Sequence, residues 1–130
     1  MNIRILTFLA AGLATFAGGA DAHHSGAMFD ETKVIEVQGT VKAWQFVNPH
    51  AWLQVMVTDA SGKAVQWAFE GGRPGSGGDS PNSSLGRGTF KPGDQVTVRS
   101  HPMKDGRPAG TLGEIVFTDG HKWTAPGFKP

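Results

Sequence analysis

The alternating segment VIEVQGTVKAW (residues 34–44) indicates the fold class of the chain. Apolar side chains stand at odd positions such as Ile35 and Val37, and polar side chains alternate with them at the even positions. A period of two is typical of a β-strand that buries one face. Gly39, and the move of apolar residues to even positions from Trp44 onward, predict a long strand that bends at a bulge.

Further segments with the same period follow this strand. They are AWLQVMV (51–57), AVQWAFE (64–70), QVTVRSH (95–101), TLGEIVF (111–117) and HKWT (121–124). A Gly/Ser/Pro-rich loop at residues 71–88 separates the first three strands from the others, and we expect it to be flexible. This order favours an all-β domain, a small five- to six-stranded OB-like Greek-key barrel, with a β-sandwich as the alternative.

One alternation phase across the strands predicts the hydrophobic core. Its members are Ile35, Val37, Val41, Leu53, Val55, Val57, Val65, Trp67, Phe69, Val96, Val98, Ile115 and Phe117.

The first 22 residues have the order of a secretory signal peptide. Arg4 precedes an apolar run that ends in Ala20-Asp21-Ala22, a small-x-small cleavage pattern. Cleavage after Ala22 leaves a polar lead-in at 23–32, one β-domain at 33–125 and a tail at 126–130. We therefore expect a periplasmic or secreted protein without a stable membrane anchor.

Composition narrows the classes of function. The chain has no cysteine, which excludes disulfides, thiolate metal sites and cysteine nucleophiles. A formal net charge of +1 without a basic run gives no reason to expect a nucleic-acid partner. No serine stands in a nucleophile-elbow context and no pair of carboxylates can be nominated, which favours a binding protein over an enzyme.

Several motifs together resemble a known family. They are AHHSGAMFD (22–30), GTVKAWQFVNPHAWLQV (39–55), WAFEGG (67–72), LGRGTFKPGDQVTV (85–98) and HPMKDGRPAG (101–110). The chain in this respect is similar to the small exported bacterial proteins of domain of unknown function family 6152. The resemblance implies export and a small β-domain, and it implies no activity. The loop GRPGSGGDSPN (72–82) is longer and richer in glycine than the family's usual link.

The two histidines at the start of the mature chain suggest a copper site. Cleavage after Ala22 would give His23 a free amine beside its imidazole, and His24 or His50 would add a further nitrogen. Cleavage one residue earlier would place His24 third from the amine, the arrangement of a square-planar site. Both arrangements suit Cu(II) better than zinc. The alternative is that His23 and His24 are simply the polar start of an exported domain.

A second interpretation needs no metal. Asn48 and His50 lie in FVNPHAW, the turn between the first two strands, flanked by Trp44 and Trp52. These side chains would form the rim of an OB-like binding module for a periplasmic ligand or protein partner, with the two tryptophans as a stacking platform. Met28 and Phe29 of the lead-in would dock against either tryptophan.

Overall fold

The computed structural model of the chain describes residues 25–46, 50–71 and 85–130. Within these ranges one helical turn, α1 (Ser25–Met28), precedes seven strands. The strands are β1 (Ile35–Gln45), β2 (Trp52–Thr58), β3 (Ala64–Glu70), β4 (Gln95–Ser100), β5 (Ala109–Thr111), β6 (Glu114–Phe117) and β7 (Lys122–Thr124). No helix in the described ranges has the length and apolar character needed to cross a membrane. The predicted signal peptide and most of the glycine-rich loop lie outside these ranges.

All seven strands belong to one mixed sheet in the order β5-β3-β2-β1-β4-β6-β7. Long β1 pairs with β4 through its first half and with β2 through its second half, and β3 with β5 is the parallel pair. The all-β prediction is confirmed. Among the described residues the ladders do not close into a complete barrel, and the arrangement suits both the OB-like description and the sandwich alternative.

The two sides of the sheet are joined by the chain itself and by a short bridge. Only Leu112 and Gly113 separate β5 at one edge from β6 near the other edge. Pro102, just after β4, forms an isolated bridge with Gly110 of β5. The sheet therefore curls around its core without a continuous closing ladder.

The predicted bend in β1 is confirmed. The register of β1 against β2 shifts between Val41 and Ala43, which marks a bulge at Lys42. A Cβ at Gly39 would overlap the carbonyl oxygen of Met56, so this position requires glycine where β1 and β2 approach each other.

The buried side chains confirm most of the predicted core. Leu53, Val55 and Phe69 are completely buried, as are Val98 and Ile115. Ile35, Val57, Trp67 and Phe117 pack against the core with partial exposure, and Val65 is half-buried. Residues between strands complete it, namely Phe29, Ala51, Phe90, Met103 and Leu112.

One element differs from the sequence prediction. The single strand predicted at 111–117 is interrupted, because β5 and β6 pair with different strands on either side of Leu112 and Gly113. The lead-in does fold back, and Phe29 is 3% exposed and forms an isolated backbone bridge with Met103, which follows β4. The backbone amide of Lys104 donates to the carbonyl of Met28 at 3.0 Å and supports this docking.

Candidate functional site

Trp44, one of the two candidate platform residues, lies on the core side of β1. The bulge places it opposite buried Leu53 of β2, and its ring meets Phe90 edge-on at 5.0 Å between centroids. Its Nε1–H donates a hydrogen bond to the carbonyl oxygen of Gly86 at 2.8 Å. The Trp44 side chain is thus occupied in packing the core margin against the segment that begins at Leu85.

Trp52, the other candidate, lies on the outer face of the sheet. It precedes buried Leu53 in β2, so its side chain points away from the core. Its cross-strand partners are Gln45 of β1 and Glu70 of β3. The structure therefore places Trp44 and Trp52 on opposite faces and does not combine them in one platform.

Trp52 shares its end of the sheet with a histidine–carboxylate pair. The Nδ1 atom of His50 lies 3.3 Å from Oε1 of Glu70. The His50 side chain is 40% exposed, whereas that of Glu70 is only 9% exposed. One side of the imidazole thus faces a buried carboxylate while part of the ring remains open to solvent.

The backbone fixes both members of this pair. The amide of Gly71, next to Glu70, donates to the carbonyl of Ala51, next to His50, at 2.8 Å. The amide of Leu112 donates to the carbonyl of Glu70, also at 2.8 Å. Three segments that are distant in sequence therefore hold the pair in position.

Burial dominates the electrostatics of Glu70. It raises the pKa of the Glu70 carboxyl, and the nearby charge of His50 lowers that pKa in part. The Oε2 atom of Glu70 is buried and has no hydrogen-bond partner among the described residues. A buried carboxylate oxygen without a hydrogen bond costs free energy, which agrees with the raised pKa of Glu70.

A second histidine–carboxylate pair lies in the turn between β6 and β7. The Nδ1 atom of His121 is 2.5 Å from Oδ1 of Asp119, and their side chains are 60% and 70% exposed. The backbone amide of His121, and then its side chain, hydrogen-bond to Asp119 and lower its pKa. The His121 ring also stacks on Phe117 with centroids 4.0 Å apart.

His101 makes structural contacts. Its Nδ1 lies 2.8 Å from the carbonyl oxygen of Lys33, and its ring is 4.9 Å from that of Phe128. The predicted ligands His23 and His24, and the predicted contact residue Asn48, fall outside the described ranges. In the part of the chain that is described, no three His, Cys, Asp or Glu side chains converge as a metal site would require.

Comparison with models of protein families assigns the chain to a family. A model of a family of unknown function, DUF6152, matches residues 10–123. The chain belongs to the DUF6152 family. The match covers β1 to β6 and reaches β7. No curated protein and no solved structure matches the chain.

Glu70 is the residue of this DUF6152 chain that the sequence did not reveal. It ends a strand at an outward position, where a solitary carboxylate is ordinary. Its importance comes from its burial and from His50 on the far side of a hairpin. One indication of its position is present in the sequence, because the alternation of apolar and polar residues in β3 places Glu70 on the outer face of the sheet with Trp52.

Proposed function

We propose that this DUF6152 chain is an exported protein that binds Cu(II) through nitrogen ligands of His23, His24 and His50. The observation that carries the proposal is the setting of His50. Histidines that bind metals commonly donate their second ring N–H to a carboxylate, which orients the ring. Glu70 stands where that carboxylate would be, at 3.3 Å from Nδ1.

The charge and exposure of the pair favour a cation at this rim. A buried carboxylate beside the imidazole increases the electron density of the ring and makes it a better ligand. The exposed fraction of His50 leaves room for approach from solvent. Cu(II) accepts an amine together with imidazoles in a square-planar arrangement, which is what the mature amino terminus would offer.

The docking of Phe29 supports the participation of the lead-in. Phe29 forms a backbone bridge with Met103, and the amide of Met103 donates a hydrogen bond to the carbonyl of Ala109 in β5. Strand β5 in turn pairs with β3 near Glu70. Three interstrand spacings of about 4.8 Å therefore lie between Phe29 and β3. Ser25–Met28 form the helical turn α1, so the amino terminus approaches His50 only when this turn unwinds into an extended segment of roughly 20 Å.

Calorimetric titration with Cu(II) tests the proposal. The samples are the chain beginning at His23, the same chain with its terminal amine acetylated, and His50→Ala, with His121→Ala as the control. We expect acetylation and His50→Ala each to weaken binding at least tenfold, and His121→Ala to leave it unchanged. Binding should also weaken below about pH 6, where imidazoles take up protons.

Equal affinity in all four samples would contradict the proposal, because neither the amine nor His50 would then contribute. Mass determination of the amino terminus of the exported protein tests the remaining part. A mature chain that retains residues before Ala22 would contradict it, since neither copper arrangement would then be available.

The outer face supports a second candidate function, binding of a small polar ligand without metal. Trp52 lies beside Glu70, and farther along the same face Nε2 of Gln66 donates to Oε1 of Gln54 at 3.1 Å. An aromatic ring next to hydrogen-bonding side chains suits a sugar ring. Asn48 belongs to this proposal as a further contact. Titration with a panel of sugars should quench tryptophan fluorescence in the parent chain and not in Trp52→Ala.

A further inference from the structure

We propose that Glu70 is a positioning residue that holds the neutral His50 imidazole with its hydrogen on Nδ1 and leaves Nε2 as the ligand nitrogen. The identity of the ligand as Cu(II) rests on the proposed function. The tautomer and its cause rest on the residues around His50 alone.

The proximity of the two groups favours one position for the ring hydrogen. An ionised carboxylate repels the lone pair of a nearby ring nitrogen and attracts an N–H there, so the ring atom that faces it keeps the hydrogen. The atom that faces Oε1 of Glu70 is Nδ1, at 3.3 Å. A neutral imidazole carries one hydrogen, and Nε2 then keeps its lone pair.

The backbone holds the two residues at neighbouring positions in the sheet. Residues 51 and 71, which follow His50 and Glu70 respectively, are joined by the hydrogen bond from the Gly71 amide to the Ala51 carbonyl. Ala51 is itself buried at 2% exposure, which anchors the start of β2. The sheet therefore fixes the distance between the two backbone segments from which the carboxylate and the imidazole extend.

The energetics of Glu70 argue against a purely structural role. A side chain that is 9% exposed and leaves Oε2 without a partner among the described residues opposes folding. An apolar residue of similar size would suit the scaffold better. Orientation of a ligating imidazole explains why a carboxylate is placed there, since carboxylates beside metal-binding histidines serve that purpose.

Nuclear magnetic resonance tests the inference without any metal. Long-range ¹H–¹⁵N spectra at pH 8 identify which ring nitrogen of each histidine is protonated. We expect His50 of the parent chain to carry hydrogen on Nδ1. Glu70→Ala and Glu70→Met remove the acceptor, and both should shift His50 toward the Nε2–H tautomer that dominates in free imidazoles.

Two further variants separate positioning from general structural effects. Glu70→Gln retains an oxygen acceptor and should preserve the Nδ1–H tautomer. Asp119→Ala should alter the spectrum of His121 and leave His50 as it is, because Asp119 is the carboxylate beside His121. The Met variant matches the volume of Glu70 and keeps the test valid where truncation to Ala perturbs the fold.

The outcomes are distinct. Nε2–H at His50 in the parent chain, or an Nδ1–H signal unchanged in both Glu70→Ala and Glu70→Met, would overturn the inference even where copper binds. The expected tautomer pattern in a chain that shows no copper affinity would support the inference and reject the proposed function.

Discussion

The His50–Glu70 pair and the His121–Asp119 pair join the same two kinds of side chain in opposite surroundings. The first has a carboxylate that is 9% exposed, and the second has one that is 70% exposed. Burial raises the pKa of Glu70, whereas hydrogen bonds from His121 lower that of Asp119. The environment, rather than the residue types, therefore decides whether the carboxyl pKa of such a pair is raised or lowered.

The two pairs also differ in how they form. Asp119 and His121 belong to one turn, so local backbone geometry brings them together. His50 and Glu70 meet because β2 and β3 pair with Trp52 opposite Glu70. A pair whose carboxylate is buried and placed by the sheet is better suited to hold a ring in one orientation, while an exposed pair in a turn can exchange partners with water.

The largest expected effect is unfolding of the domain, which would separate His50 from Glu70. Val55 is completely buried, and Val55→Asp would lose about 1.5–3 kcal/mol of apolar burial and add an unpaired buried charge that costs several kcal/mol more. A domain is stable by only about 5–15 kcal/mol, so we expect Val55→Asp to be unfolded by circular dichroism. Gln54→Asp, one position away on the outer face, is the control and should unfold cooperatively. A parent-like melting curve for Val55→Asp would show that the inner face is assigned wrongly.

The next largest effect is a difference in Cu(II) affinity between variants of the two pairs. Loss of a carboxylate that orients a metal-binding histidine typically lowers affinity about 10–100-fold. We expect this loss of Cu(II) affinity for Glu70→Ala and less than about a twofold change for Asp119→Ala, both measured by calorimetry. Equal losses in the two variants would mean that the buried pair has no special role.

The smallest expected effect is a difference between the two pairs in how the melting temperature depends on pH. The folded-state pKa of Glu70 is raised, so its contribution favours the folded state below its ordinary pKa and is lost as the pH rises through the folded value. Glu70→Gln should therefore melt a few degrees above the parent at pH 8 and lose that advantage near pH 4. Asp119 has a lowered pKa, and its contribution is present above its ordinary value and lost as the pH falls.

Asp119→Asn should accordingly melt slightly below the parent at pH 8, with the difference shrinking toward pH 3. Metal-free thermal denaturation across this pH range measures both variants. The same sign of change for the two variants at pH 8 would contradict the opposite environments assigned to the pairs.

From the sequence alone, the first four strands, their inner face and the bend in β1 could be assigned. Alternation is a local property, so Val37, Leu53, Val55 and Val98 could be assigned to the core without knowledge of which strands pair. The turn at Asp119 was equally local, because Asp-Gly followed by a strand is a turn signal that needs no tertiary contact.

Which side chains meet at the candidate site depends on contacts between strands that the sequence pattern does not specify. The bulge at Lys42 turned Trp44 to the core side, and strand register placed Trp52 beside Glu70. The imidazole of His50 lies beside the carboxylate of Glu70, which is at the other end of the β2–β3 hairpin in sequence. Phe90 is buried in the core although its segment shows no alternation of apolar and polar residues. Strand phase predicts the face on which a residue lies, but its neighbour on that face depends on register, and register depends on bends and contacts formed by the whole sheet.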